Sequence, residues 1–192
     1  MLSADDRLTI RPHRVLVAGA SGSGKTTLAA AVAAELQVRR VEIDALFHGP
    51  GWTPRPDFEQ EVAAFAAGPA WVTEWQYDQV RERLADRADL LVWLDLPRPV
   101  VMRHVTVRTL RRRWGRTELW NGNQEPPLRT VLTDPEHILR WAWSTHAGSR
   151  RRVLELEHRR PGLVIVRLGS HRQARRWIVG PLHDTVAPHA GG

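Results

Sequence analysis

The chain has no cysteine and a single lysine. The first absence excludes a disulfide framework, a Cys-based metal site and a thiol nucleophile. The second is unusual, because all the other Lys+Arg residues, out of 28, are arginine. Lys25 stands alone, so an N-K-x-D guanine-recognition motif is also excluded. No apolar run reaches the length of a membrane span. The first residues, MLSADDRLTIRPHR, lack the apolar stretch of a signal peptide. The expectation is a cytoplasmic, soluble protein. Internal repeats and low-complexity tracts are absent as well.

What is present is ordinary for a globular chain: 42% hydrophobic and 26% charged residues over 192 positions. That length suits one domain, 1–192, with a sizeable core. The net charge of +7 points to phosphate-bearing partners. Arginines crowd Arg103–Arg116 and Arg140–Arg160. Solvated helix faces are the plainer account of such runs.

Strand and helix signals alternate along the chain. Val15–Ala18 is an apolar run closed by Gly19, and Leu28–Leu36 is Ala-rich and helical. Val38–Ile43 reads as a second strand ending at Asp44, and Asp57–Ala67 as a helix capped by Asp57. Trp71–Thr73 is a third strand ending at Glu74, followed by a short helix around Gln79–Ala85. Leu90–Leu94 is a fourth strand ending at Asp95, and Pro97 and Pro99 open a helix to about Arg113. Leu163–Val166 is a fifth strand, with Ser170 placed to cap His171–Val179. Residues 1–12 and 183–192 read as loose ends. The stretch 114–145, containing WGRTELWNGNQEPP, is too long for a plain connection and reads as a lid-type insertion. The pattern predicts an α/β fold: a parallel sheet covered on both faces, with ligands outside the carboxyl ends of its strands. Asp44, Glu74 and Asp95 all fall at such ends.

Gly19-Ala20-Ser21-Gly22-Ser23-Gly24-Lys25-Thr26 matches G-x-x-x-x-G-K-[ST] in full, between a strand and a helix. Glycines let the backbone wrap a phosphate with its N–H groups pointing inward, and the helix N-terminus adds positive potential. Lysine is a compact charge on a flexible stem, able to follow a phosphate as it transfers, whereas arginine is a rigid planar fork. That is a sufficient reason for one lysine in an arginine-rich chain. Gly19, Ser21, Gly22, Ser23, Gly24, Lys25, Thr26 and Thr27 are the candidate ATP contacts, with the Thr26 hydroxyl placed for Mg²⁺.

Further motifs carry a resemblance. Gly19–Thr26 is joined by IDAL at 43–46, PGWTPRP at 50–56, LVWLDLPRP at 91–99, ELWNGNQE at 118–125 and RWAWST at 140–145. With these the chain resembles the nucleoside-monophosphate-kinase branch of P-loop kinases. More narrowly it resembles the bacterial adenylate-kinase-related proteins labelled topology modulation proteins. The resemblance covers most of the chain. It implies a P-loop NTPase three-layer fold with five parallel strands in order 2-3-1-4-5 and an arginine-rich lid. It also implies MgATP as phosphoryl donor. The chain departs from that family after the third strand. Glu74-Trp75-Gln76-Tyr77 stands where Asp-Gly-Asn-Tyr is usual, on the acceptor side of the cleft.

The roles follow from that frame. Glu74 would hold Mg²⁺ with Thr26. Asp44 would contact the acceptor hydroxyl as base or positioner; the alternative is a turn cap. Asp95 reads as structural, capping the next helix. Arg55, Tyr77 and Arg81 flank the acceptor side. Trp52 and Trp75 either stack on a planar acceptor or pack the core. Arg108 and Arg112 share a helix face at i and i+4; the family lid implies one over the base and one on the phosphates. Arg140 and Arg150 to Arg152 are further clamp candidates, and His171 would lie near the adenine. The expected activity is transfer of the γ-phosphoryl group of ATP to a small acceptor, nucleoside-like or another hydroxyl compound, by a monomer or homodimer. A nucleic-acid-associated ATP-binding protein and a catalytically degenerate ATP-binding regulator are the competing readings.

Overall fold

Val15, Leu16, Val17 and Ala18 are at most 1% exposed, so the strand they form is covered on both faces. The computed structural model describes residues 1–114 and 138–187, with side chains described up to 107 and from 146. In it Arg14–Gly19 forms β1, the central strand. β1 runs parallel to Trp71–Glu74 (β3) on one side and Leu90–Leu94 (β4) on the other. Arg40–Val41 (β2) extends the sheet beyond β3, and Val164–Leu168 (β5) extends it beyond β4. All pairings are parallel, and the order is β2-β3-β1-β4-β5, as the resemblance implied.

Alternation along the strands sorts side chains into two layers. Val15, Val17, Val72 and Val92 pack with Leu28, Val32 and Leu36 of α1 (Lys25–Leu36). The same layer takes Trp177, the last residue of α7 (His171–Trp177). Leu16, Ala18, Leu91 and Trp93 face the other way. There they meet Phe58 and Val62 of α3 (Phe58–Ala66), Val80 and Leu84 of α4 (Asp78–Arg87), and Val153 and Leu156 of α6 (Ile138–Arg159). The remaining helices are α2 (Ile43–Phe47) and α5 (Arg98–Trp114).

Four expectations need correction. The lead-in is tied down, not loose: Leu2 N–H donates to Ile165 O at 2.7 Å and Leu2 O accepts from Arg167 N–H at 2.8 Å. The second strand is only two residues long; the chain then turns into α2, carrying Asp44 into that helix's first turn. Asp57 stands at the head of α3 without a side-chain cap bond, its carboxylate held instead by Arg55 at 2.7 Å. Asp95 is also not a cap. Its carboxylate, 4% exposed, receives Arg150 at 3.0 Å and Arg167 at 2.6 Å, and both guanidiniums lie over the Trp93 ring. Ser170 does cap α7, accepting from Gln173 N–H at 3.2 Å. At the tail, His183–Thr185 is a helical turn, and 188–192 lie outside the described residues.

Asp89 fastens the start of β1 to the start of β4. Its carboxylate accepts from the backbone N–H of His13 and Arg14 and from both forks of the Arg14 guanidinium, at 2.7 to 3.0 Å. Burial pushes its pKa up, but these donors outweigh burial and hold it below the usual value. A depressed carboxylate pKa stabilises the fold above the unfolded value, and that contribution is lost as pH falls through the folded one. Asp89→Ala is therefore expected to cost about 2 kcal/mol at pH 7. Urea denaturation should show the gap to the wild type closing below about pH 4, near the unfolded value of 3.8.

Candidate functional site

The carboxyl ends of β1, β2 and β3 open onto one edge of the sheet, and the loop after β1 defines its centre. Gly22 and Gly24 sit at φ +79° and +95°, where side-chain-bearing residues are strained. A Cβ at Gly22 would lie 2.0 Å from Val105 Cγ2, so α5 is packed onto the loop and admits only glycine there. Ser23 N–H closes the turn on Ala20 O at 3.1 Å. The Ser23 hydroxyl is fully buried with no hydrogen-bond partner among the described residues. Lys25 opens α1, is 8% exposed and donates from Nζ to Ala20 O at 3.2 Å. Ser21 and Gly22 are half-buried, and Thr26 and Thr27 are exposed at the head of α1.

Glu74 closes β3 directly beside Val17 of β1. It is 3% exposed. Burial, reinforced by the charge of Asp44, pushes its pKa up; a hydrogen bond with the Thr26 side chain and the charge of Lys25 pull the other way. A buried carboxylate touching the Thr26 hydroxyl beside a lysine is an oxygen-rich setting that suits Mg²⁺. Among the described residues no cluster of three or more His, Asp or Glu forms a closed metal cage.

Asp44 lies across from Glu74. Its Oδ1 accepts from Gln76 Nε2 at 3.0 Å and from the Tyr77 hydroxyl at 2.6 Å. Its Oδ2 has no hydrogen-bond partner among the described residues. Tyr77 stands at φ +61°, a strained conformation for a bulky residue. Its ring stacks on Phe47 at 4.1 Å between centroids. Burial and the Asp44 charge push the phenol well above its ordinary pKa. His48 Nε2 lies 3.2 Å from the same hydroxyl. Burial holds His48 below its usual pKa, partly countered by Asp44.

Arg81 and Arg152 form the cationic side. Arg81 ion-pairs with Asp78, and its guanidinium lies 5.6 Å over the Trp75 ring. Its Nε is buried with no partner among the described residues. Burial, then the Arg152 guanidinium beside it, pulls Arg81 below the usual arginine value. Arg152 folds back along α6, with Nη1 3.3 Å from where a Cβ on Gly148 would sit.

The loop after β5 reaches the phosphate loop. His171 Nε2 bonds Ser23 O at 2.8 Å, and His104 of α5 stacks on His171 at 4.9 Å.

Other expected contacts are placed elsewhere. Arg55 is clamped by Asp57 and Glu61 at 2.7 and 2.6 Å, so its charge is already neutralised. Trp75 is 7% exposed in the core, with Nε1 donating to Arg81 O at 3.0 Å. It is a wall behind Arg81 and not a platform for an acceptor. Trp52 is 36% exposed, edge-on to His48 at 5.0 Å. Arg150 belongs to Asp95, which leaves Arg152 as the cation of its run that approaches Arg81. The side chains of Arg108, Arg112 and Arg140 lie outside the described residues, as does most of the 114–145 insertion. His48 is not singled out by residue reasoning, Gln76 enters it only within the Glu74–Tyr77 departure, and Arg152 only as one of a run of clamp candidates. Asp44 and His48 stand at i and i+4, a signal visible only once 43–47 is read as helix.

The comparisons bear on the fold. The zeta toxin family model matches residues 3–45, the segment that holds the phosphate loop and Asp44. A shikimate kinase from Acinetobacter baumannii, in complex with shikimate, aligns over 95% of this chain and 97% of its own at 13% identity and TM-score 0.51. A sugar kinase from Janibacter sp. HTCC2649 aligns over 93% and 97% at 22% identity and TM-score 0.50. No curated protein sequence matches. The fold is that of the P-loop kinases. Among the described residues no helix is long and apolar enough to cross a membrane.

Proposed function

We propose that this chain is an ATP-dependent phosphotransferase acting on a hydroxyl of a small acceptor that also carries an anionic group. The observation that carries this reading is Asp44: one carboxylate oxygen tethered by two donors, the other without a hydrogen-bond partner among the described residues, on the same sheet edge as the phosphate loop. Gly22, Ser23, Gly24, Lys25 and Thr27 would hold the ATP phosphates. Arg108 and Arg112, with their helix entering the insertion, are proposed to complete the site from the lid. Thr26 and Glu74 would hold Mg²⁺, which would offset the phosphate charge as it develops.

The acceptor hydroxyl gives its proton to Asp44 Oδ2. Its oxygen forms the bond to the γ-phosphorus as the bond to the leaving oxygen breaks, and that electron pair departs with ADP. Lys25 follows the transferring group. Arg81, ion-paired with Asp78, and Arg152 beside it would hold the acceptor's anionic group. The sugar and shikimate kinases of the same fold make a hydroxylated acceptor the natural class to test first.

The nucleic-acid reading rests on the net charge of +7 and on the arginine content, and some of those arginines are engaged within the chain. Arg150, Arg159, Arg160, Arg167 and Arg176 are each paired with a carboxylate of this chain. An ADP-release assay over a panel of hydroxy acids, sugar phosphates and nucleosides tests the proposal. Acceptor-dependent turnover above slow ATP hydrolysis is expected for an anionic member. With that acceptor, Arg152→Ala should raise its KM about tenfold or more and leave the KM for ATP unchanged. Turnover that favours neutral acceptors and ignores Arg152→Ala would refute the anionic part. No acceptor-dependent turnover at all would refute the kinase reading.

A further inference from the structure

Three side chains behind Asp44 form a directed hydrogen-bond chain. Tyr77 Oη is 2.6 Å from Asp44 Oδ1 and 3.2 Å from His48 Nε2. An ionised carboxylate only accepts hydrogen bonds, so the phenol must donate to it. The phenol oxygen is then free only to accept, and His48 must present an N–H from Nε2. The chain therefore runs from His48 through Tyr77 to Asp44. Gln76 adds the second donor to Oδ1.

The surroundings hold these groups in place. Phe47 stacks on Tyr77, Phe58 meets its edge at 5.2 Å, and Trp52 meets the edge of His48 at 5.0 Å. Tyr77 keeps a positive-φ backbone conformation that is strained for a bulky residue.

We propose that His48 is a positioning residue: it fixes the Tyr77 hydroxyl so that Oδ1 of Asp44 is occupied and Oδ2 alone is presented to the acceptor. This deepens the phosphotransfer reading and rests on it. Without the His48 N–H, the phenol can rotate its proton elsewhere, and the carboxylate loses one of its two tethers.

The chain supplies its own probe, because Tyr77 is its only tyrosine. The tyrosine Raman doublet reports whether a phenol donates, accepts or does both. His48→Phe should shift the intensity ratio towards that of a phenol that only donates, and Asp44→Leu, which removes the acceptor, should shift it the opposite way. His48→Gln, which keeps an N–H at a similar reach, should retain the wild-type ratio. In turnover, His48→Phe should lose about tenfold or more in kcat with the acceptor KM within about twofold, and His48→Gln should recover most of it.

An unchanged doublet in His48→Phe overturns the hydrogen-bond chain, whatever the enzyme does. A shifted doublet with full kcat in His48→Phe, while Asp44→Asn is inactive, overturns the positioning role and leaves the kinase reading standing. Full turnover in Asp44→Asn overturns the base role of Asp44 and the positioning role of His48 with it, whereas a wild-type chain without acceptor-dependent turnover sinks the kinase reading itself.

Discussion

Lys25→Arg is expected to reduce phosphoryl transfer by about a thousandfold, although charge is conserved. The reason is the room around the residue. Lys25 is 8% exposed at the head of α1, with Nζ 3.2 Å from Ala20 O and the buried Glu74 carboxylate close by. A point charge fits there and can track the γ-phosphoryl group. A planar fork with five donors must either push the loop outward or leave donors unpaired. The loop has no slack to yield, because Gly22 already touches Val105 of α5. Steady-state kinetics with the acceptor found in the panel would read the loss, and calorimetric titration with ATP would show how much binding persists. A variant that keeps more than about a tenth of the wild-type kcat would contradict the role given to Lys25.

Asp44→Asn is expected to lower kcat by about 10²- to 10⁴-fold, the range of a general base, with ATP affinity within about twofold. The substitution is nearly isosteric. Its carbonyl oxygen can take the Oδ1 position and keep the Tyr77 and Gln76 bonds. The amide nitrogen then occupies the Oδ2 position, where it donates and accepts no proton. The measurement that matters is kcat against the acceptor KM. A loss confined to KM would make Asp44 a binding group only and leave the proton without a destination.

Much of the donor end was legible in the sequence. A strand, a glycine-rich loop and a helix opened by the only lysine are local features, and local geometry decides what they do. The sheet order came from resemblance, and the register of β1 against β3 bears it out by placing Glu74 beside Val17. The acceptor end was legible only as residue names. Asp44 follows an apolar strand signal in the sequence but stands in a helix, because β2 ends after two residues. Trp75 suits either a stacking platform or the core in sequence, and burial makes it core. Arg55 and Arg81 look equivalent in sequence. Asp57 and Glu61 both pair with Arg55, while Arg81 pairs with Asp78 and stands beside a second cation, Arg152.

The sequence by itself determined the phosphate loop, the two-faced parallel sheet and the reason for a lone lysine, because each depends on residues close together in the chain. Only the tertiary structure decided which charges are spent on one another and which face the cleft. Asp95 with Arg150, and Asp44 with Tyr77, are separated by 55 and 33 positions. No local pattern records such pairings. They follow from the packing of α2, α4 and α6 against one face of the sheet, and that packing turns a list of candidate residues into a site with a phosphate end and an acceptor end.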